Sequence, residues 1–178
     1  RFRPSEDSAI LNDMSRLMKF LHTMGAIGLM GAMASFLVLL SIAPPPADLE
    51  AYALVRSAMD RIARWIFLPS LVLTLIAGLL SLAVNRSYQN AGWALTKLAT
   101  GIIIFEWGFV AVQGPIQNEA ALATRVLAGQ ADPSRLGLYL DAEWNSLWVL
   151  LAVATANVVL GVWRPRFRWF RYTASERE

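Results

Sequence analysis

The sequence predicts an all-α fold: a polytopic membrane protein in which four transmembrane helices form an antiparallel bundle, with short helices outside the membrane. Of the 178 residues, 56% are hydrophobic and 16% are charged, whereas about a quarter of the residues in a soluble domain are charged. A helix needs about 20 mostly apolar residues to span a bilayer. Four segments approach or exceed this length, namely 20–43, 65–84, 98–112 and 147–163. We therefore predict a single integral membrane domain that covers residues 1–178.

The lysine and arginine residues predict the orientation of the four spans. Eleven of the sixteen lie in the N-terminal segment, in the connection between the second and third spans, and in the C-terminal tail. Cytoplasmic loops of membrane proteins carry an excess of Lys and Arg, so we expect both termini in the cytoplasm. Tryptophan side chains favour the two membrane–water interfaces. Six of the seven tryptophans fall at span ends, namely Trp65, Trp93, Trp144, Trp148, Trp163 and Trp169.

The first external connection predicts a short amphipathic helix. Pro44-Pro45-Pro46 ends the first span, and Asp48 is a suitable N-cap residue. Apolar residues then recur at three- and four-residue spacing over 49–64, with most of the charged residues, including Arg56, between them. Such a helix either lies on the membrane surface or extends the second span outward.

The second external connection also predicts helical structure. Residues 116–128 form a short helical run that Gly129 closes, and Asp132-Pro133-Ser134 has the composition of a turn. Asp141 and Glu143 stand at the start of the fourth span, where we interpret them as capping and solvated residues.

Small and polar side chains follow one stripe on each predicted span. Helices in lipid associate through close packing of small residues and through hydrogen bonds between helices. We therefore expect the stripes to face one another in the bundle, although contact with another subunit would use the same surfaces. Their members are Gly25, Gly28, Ala32 and Ser35 in the first span; Ser70, Thr74, Ala77, Gly78, Ser81 and Asn85 in the second; Glu106 and Gln113 in the third; and Ser146, Asn157, Gly161 and Arg164 in the fourth.

Glu106 is the main candidate for a functional residue, because it interrupts the apolar run GIIIFEWGFVAVQG. A charge at the centre of a transmembrane helix costs roughly 2.5–3.5 kcal/mol on insertion scales. We therefore expect Glu106 to face the bundle interior near the bilayer centre, where it binds a ligand or carries a proton. A purely structural role is the alternative, with a protonated carboxyl bonded to Asn157 or Thr74. The predicted site comprises Glu106, His22, Asn157, Ser81, Thr74 and Gln113.

These residues predict a non-enzymatic membrane protein that binds or passes a small ligand or a proton. One alternative is an accessory or assembly subunit of a larger membrane complex, in which small-residue faces contact a homo-oligomer or another membrane protein. The other is a b-type haem protein that uses His22, with two symmetry-related His22 side chains in a dimer. Apart from that haem, we expect no cofactor and no metal.

Several chemistries have no support in the composition. Cysteine is absent and histidine occurs once, which excludes disulfides, thiolate nucleophiles and cysteine-based metal sites. The sequence contains no Gly-rich phosphate loop and no nucleophile elbow. The basic, aromatic tail WRPRFRWFRY directly follows a span, so we interpret it as a contact for lipid head groups and expect no nucleic-acid partner.

The helix-packing patterns resemble those of a protein family. They are LHTMGAIGLMGAMASFLVLL, RWIFLPSLVLTLIAGLLSLAV, NAGWALTKLATGIIIFEWGFVAVQGP and ANVVLGVWRPRF. The chain is similar to small bacterial inner-membrane proteins that share a domain of unknown function, and more distantly to the membrane part of copper-resistance D proteins. This resemblance implies a four-helix fold and a location in the bacterial inner, or cytoplasmic, membrane. It implies no particular activity.

Overall fold

The computed structural model describes residues 6–84 and 92–163, and these residues form four long helices with short connections. The first helix is α1 (Glu6–Ser41). The second comprises α2 (Leu49–Ile62), a π-helical segment (Ala63–Phe67) and α3 (Leu68–Val84). The third comprises α4 (Gly92–Trp107), a second π-helical segment (Gly108–Gln113) and α5 (Gly114–Leu127). A 3₁₀ turn (Pro133–Arg135) precedes the fourth helix, α6 (Leu140–Trp163).

All four helices are long and apolar enough to cross a membrane, over Asp13–Ser41, Leu49–Val84, Ala94–Leu127 and Pro133–Trp163. For residues 6–84 and 92–163, this result confirms the prediction of an all-helical fold with four candidate spans. The structure does not describe Asn85, Arg164, Trp169 or the basic tail, so the predictions about them remain predictions.

The two predicted external segments are helical. Asp48 Oδ1 accepts a hydrogen bond from the Ala51 N–H at 3.4 Å, and α2 then runs without a break into the second long helix. The structure therefore shows that residues 49–62 extend the second long helix and do not form a separate surface helix. Gly129, at φ +70°, follows α5 in the left-handed conformation that glycine adopts readily.

The predicted turn at Asp132 is also present. The Ser134 N–H donates a hydrogen bond of 2.9 Å to Asp132 Oδ1, which caps the 3₁₀ turn. This bond lowers the pKa of the exposed Asp132 carboxyl below its usual value, because it stabilises the ionised form.

Glycines bring the first helix close to α3. A Cβ atom added to Gly25 would lie 2.9 Å from the Thr74 backbone nitrogen and 3.0 Å from the Ser70 carbonyl oxygen. One turn later, a Cβ atom on Gly28 would overlap the Ser70 side chain. Gly25 and Gly28 of the predicted first stripe therefore face Ser70 and Thr74 of the second, whereas Ser35 of the first stripe is exposed.

Large apolar side chains fill the interior near the connections 42–48 and 128–139. Phe36 of α1 and Phe67 of the first π segment have ring centroids 5.7 Å apart. The second π segment begins at Gly108, where an added Cβ atom would lie 3.1 Å from Phe67 Cζ. The two π segments thus meet inside the molecule, and buried Leu71 and Leu150 pack beside them.

Candidate functional site

His22 lies against α3, where a glycine makes room for its ring. Its Nδ1 atom lies 2.8 Å from the Thr74 carbonyl oxygen. A carbonyl oxygen can only accept, so Nδ1 donates the hydrogen. The ring atoms lie 3.3 Å from the position of a Cβ atom on Gly78. Any larger side chain at Gly78 would therefore displace the imidazole.

Asn157 brings an unpaired polar atom to the same region from the fourth helix. Its Oδ1 atom is buried and makes no hydrogen bond to the described part of the protein. A buried amide oxygen without a partner costs about 1–3 kcal/mol, so a water molecule or a ligand group that donates a hydrogen bond would relieve this cost. Asn157 is therefore a natural anchor for a bound molecule.

A cavity of about 500 Å³ lies between the four helices and collects these groups. Four of the six predicted site residues line it, contributed by three helices: His22, Thr74, Ser81 and Asn157. Lys19 and Lys97 also line the cavity, and the sequence-based site did not include them. Lys97 Nζ lies over Gly161, 2.6 Å from the position that a Cβ atom would occupy.

The cavity is exposed at one end and closed at the other. Lys19, Thr23 and Val162 are exposed at its mouth. Leu29, Leu71, Ile104 and Ala154 are buried at its floor and belong to the hydrophobic core. The polar lining and the apolar floor give this space the character of a ligand pocket, whose usual volume is about 300–1,000 Å³.

Glu106 does not line this cavity, contrary to the sequence prediction. Its side chain is exposed on the outer face of α4, next to exposed Ile102, Ile103 and Trp107. The inward face of α4 instead carries Ala94, Gly101 and Ile104. Ala94 and Ile104 are buried, Gly101 faces the open cavity, and all three lie on the side of the helix opposite Glu106.

Gln113 does not join the predicted site either. Its side chain is 5% exposed, and its Oε1 atom is buried without a hydrogen-bond partner among the described residues. Seven residues along an α-helix return to the same face, which is why Glu106 and Gln113 were expected to point the same way. The π-helical segment Gly108–Gln113 has wider turns than an α-helix. It rotates Gln113 into the interior while Glu106 stays outside.

A second polar cluster, which sequence reasoning missed, joins α2, α5 and α6. Arg56 is 1% exposed, and its Nη1 atom donates to Glu143 Oε2 at 2.6 Å. Arg56 Nε donates to the Tyr52 hydroxyl at 3.2 Å, and that hydroxyl donates to Glu119 Oε1 at 2.6 Å. Glu119 Oε1 also accepts the Gly137 N–H at 2.7 Å. We call these residues the Arg56 cluster: Tyr52, Arg56, Glu119 and Glu143.

Two interpretations of charged residues were therefore wrong. Arg56 belongs to the buried stripe of α2 rather than to its solvated face, and Glu143 is 5% exposed rather than solvated. Each is tolerated inside the protein because the other neutralises it and hydrogen bonds satisfy most of its polar atoms. Their mutual contacts explain the burial.

No known protein family, curated protein or solved structure matches the chain.

Proposed function

We propose that this chain is a non-enzymatic integral membrane protein that binds a small ligand in the cavity between its helices. The observation that carries the proposal is the buried, unpaired Oδ1 atom of Asn157 in a space that His22, Thr74 and Ser81 also line. Ligand pockets combine a largely apolar wall with a few polar groups that converge on the bound molecule. Because Glu106 points away from this space, a bound ligand is better supported than a proton path through that carboxyl.

In this proposal the four helices cross a bacterial inner membrane as an antiparallel bundle with both termini in the cytoplasm. Its support is the length and apolar character of the helices, together with the distribution of Lys and Arg along the chain. The mouth of the cavity, at Lys19, then faces the cytoplasmic side. The Arg56 cluster then lies outside the membrane on the opposite side.

A matched pair of glycine substitutions tests ligand binding. A Cβ atom on Gly101 or on Gly31 meets nothing within 4 Å, but Gly101 lines the cavity whereas Gly31 is exposed. We expect Gly101→Leu to fill the cavity and to remove small molecules that co-purify with the protein in mild detergent, as measured by mass spectrometry of the extract. Gly31→Leu should retain them, because it changes the same residue type away from the cavity.

Two results would contradict a ligand site in this cavity. If the wild-type protein carries no small molecule, or if Gly101→Leu carries as much as the Gly31→Leu control, the cavity is not a ligand site. An absorption spectrum of the same preparation tests the b-type haem hypothesis for His22, since haem would give a strong visible band that His22→Ala abolishes.

The exposed position of Glu106 favours a second function, that of a subunit that docks on a different membrane protein. Glu106 is the only Asp, Glu, Lys or Arg residue within the four predicted spans. A second copy of this chain in the same orientation therefore presents no cation at that depth. Against lipid the carboxylate would be costly, and a partner helix with a Lys or Arg in its span would stabilise it. We therefore propose such a helix as the occupant of the outer face of α4.

Site-specific photocrosslinking tests this docking surface. A photoreactive side chain at Ile103, one turn before Glu106, should crosslink to a membrane protein with a basic residue in a span. The same side chain at exposed Ile27 of α1 should not. Glu106→Lys should abolish the crosslink, and exchange of the partner's basic residue for Glu should restore it. Crosslinks only to lipid or to a second copy of this chain would contradict the docking proposal.

A further inference from the structure

The charges of the cavity all have the same sign. Among the residues that the structure describes, the charged side chains in its lining are Lys19 and Lys97, and the lining includes no Asp or Glu. Lys97 reaches into the lining over Gly161, where its Nζ atom lies 2.6 Å from the position of an added Cβ atom. Because Lys97 is half-buried among apolar side chains, its charge acts in a medium of lower dielectric constant than water. An anionic group would therefore be the favoured occupant of this end.

The polar and apolar parts of the cavity are separated along its length. The cationic groups lie toward its mouth, whereas Leu29, Leu71, Ile104 and Ala154 close the other end. Lys19 and Leu29 are ten residues apart on one helix, which corresponds to about 15 Å at 1.5 Å per residue. A ligand that fills the whole space must therefore have one charged end and one apolar end.

We infer that the ligand of this cavity is an anionic amphiphile, in which a hydrocarbon chain ends in a carboxylate or a phosphate. The head lies between Lys19 and Lys97, and Asn157 Oδ1 accepts a hydrogen bond from a water molecule bound beside the head. The chain extends toward Leu71 and Ile104. This inference rests on the proposed function, since it names the class of molecule that the same cavity binds.

Binding of four probes that share one alkyl chain tests the chemistry of the head. The probes are dodecanoate, dodecyl phosphate, dodecanol and dodecylammonium, each added to the full chain in non-ionic detergent, with bound adducts measured by native mass spectrometry. We expect the two anions to bind at least tenfold more tightly than the alcohol, because hydrogen bonds between charged groups are the stronger kind. The ammonium should bind most weakly.

Charge variants then locate the head. Lys97→Met keeps most of the apolar stem and should weaken the two anions about tenfold while leaving the alcohol unchanged. Lys97→Arg should retain anion binding. Arg61→Met is the matched control, because Arg61 is an exposed cation outside the cavity lining. Lys19→Met offers a second test at an exposed position that folding tolerates, should Lys97→Met impair folding.

The outcomes separate this inference from the proposed function. If the alcohol and the ammonium bind as tightly as the anions, and Gly101→Leu blocks all of them, the cavity binds ligands but the anionic class is wrong. If no probe binds, the inference of an anionic amphiphile fails; the proposed function fails as well only if Gly101→Leu retains as much co-purifying small molecule as the Gly31→Leu control.

An anionic phospholipid distinguishes two sources of the same head group. Tighter binding of phosphatidylglycerol than of dodecanoate or dodecyl phosphate identifies a membrane lipid as the natural occupant, whereas the reverse order identifies a free acid or phosphate. Both results support the inference. A dodecanoate analogue with a photoreactive group at the chain end should label the floor near Leu71, and labelling confined to the outer faces of the helices would overturn it.

Discussion

Gly25 shows how a single position determines the distance between two helices. Its Cα atom lies against the backbone of α3, with the Thr74 nitrogen and the Ser70 carbonyl oxygen around the position of a Cβ atom. Neither of these backbone atoms can move without moving α3. His22, one turn earlier on the same helix, depends on this spacing because its hydrogen bond ends on the Thr74 carbonyl.

We expect Gly25→Ala to destabilise the protein by about 1–3 kcal/mol, the usual range for overpacking. Thermal unfolding in detergent measures this effect. Gly31→Ala is the control, since nothing lies within 4 Å of its Cβ position and replacement of a helical glycine by alanine is favourable by up to about 1 kcal/mol. A loss of stability that is the same in both variants would contradict the close approach at Gly25.

The sequence was informative about such small residues and misleading about Glu106. The glycines of the first span were correctly placed against the second. On the third long helix the same reasoning points to Ala94 and Gly101 of α4 and to Gly108 of the following π segment, which recur every seven residues and face inward. The energetic cost of a carboxylate in lipid was instead given more weight, and it predicted an inward Glu106. Close packing at Gly108, where an added Cβ atom would lie 3.1 Å from Phe67 Cζ, favours this rotation of the helix, whereas Gly101 faces the open cavity.

At the scale of elements, the Arg56 cluster ties together the ends of three helices. Arg56 of α2 contacts Glu143 at the start of α6, and Tyr52 of α2 contacts Glu119 of α5. The Arg56 Nη2 atom is buried and has no partner among the described residues. The cation is therefore held mainly by Glu143 and by the Tyr52 ring, whose centroid lies 5.2 Å from its guanidinium carbon.

Removal of one charge of the Arg56–Glu143 pair should be far more harmful than removal of both. Glu143→Leu leaves Arg56 buried without its ion-pair partner, which we expect to cost about 3–5 kcal/mol. The double variant Arg56→Met, Glu143→Leu should recover much of this loss. Unfolding of the single and double variants in detergent measures the difference.

The exposed pair between Arg64 and Asp60 provides the comparison for that experiment. Its atoms lie 2.9 Å apart, one turn from each other on the second helix, and the Arg64 side chain is 57% exposed. Asp60→Asn should cost less than about 1 kcal/mol, since solvent screens such pairs. If Glu143→Leu lowered the free energy of unfolding by no more than Asp60→Asn, the buried ion pair would not stabilise the packing of these helices.

The Arg56 cluster was not predicted from the sequence because a charged residue occupies one position in each of the apolar helical stripes that form it. Tyr52, Arg56, Met59 and Ala63 recur at helical spacing and are all buried. On α6, the buried stripe is Glu143, Leu147, Leu150 and Ala154. In each case a charged residue continues an apolar stripe, which is the sequence signal for a buried ion pair. Which stripe meets which is a property of the tertiary structure, so the pairing itself could not be predicted from spacing.

At the scale of the whole molecule, the proposed orientation has a direct test. The chain lacks cysteine, so single cysteines can be introduced and labelled with an impermeant maleimide. Ser134→Cys, in the second external connection, should react in intact cells from which the outer membrane has been removed. Arg16→Cys, near the N-terminus, should react only after the membrane is permeabilised.

Both positions are exposed in the structure, so a difference in labelling reports sidedness and not burial. Equal reactivity of the two cysteines before permeabilisation would refute the proposed topology. The reverse pattern would place the termini on the outer side, and the excess of Lys and Arg near the ends would then not have determined the orientation.

The closed floor of the cavity limits what the proposed ligand site can do. Beyond Leu71 and Ile104 the space between the helices is filled by Phe36, Phe67 and other core side chains. A molecule that enters the cavity at Lys19 must therefore leave through the same mouth unless the core side chains rearrange. In the proposed function, occupancy of a site with one opening follows the ligand concentration in a single leaflet or compartment, so we expect the protein to report that concentration.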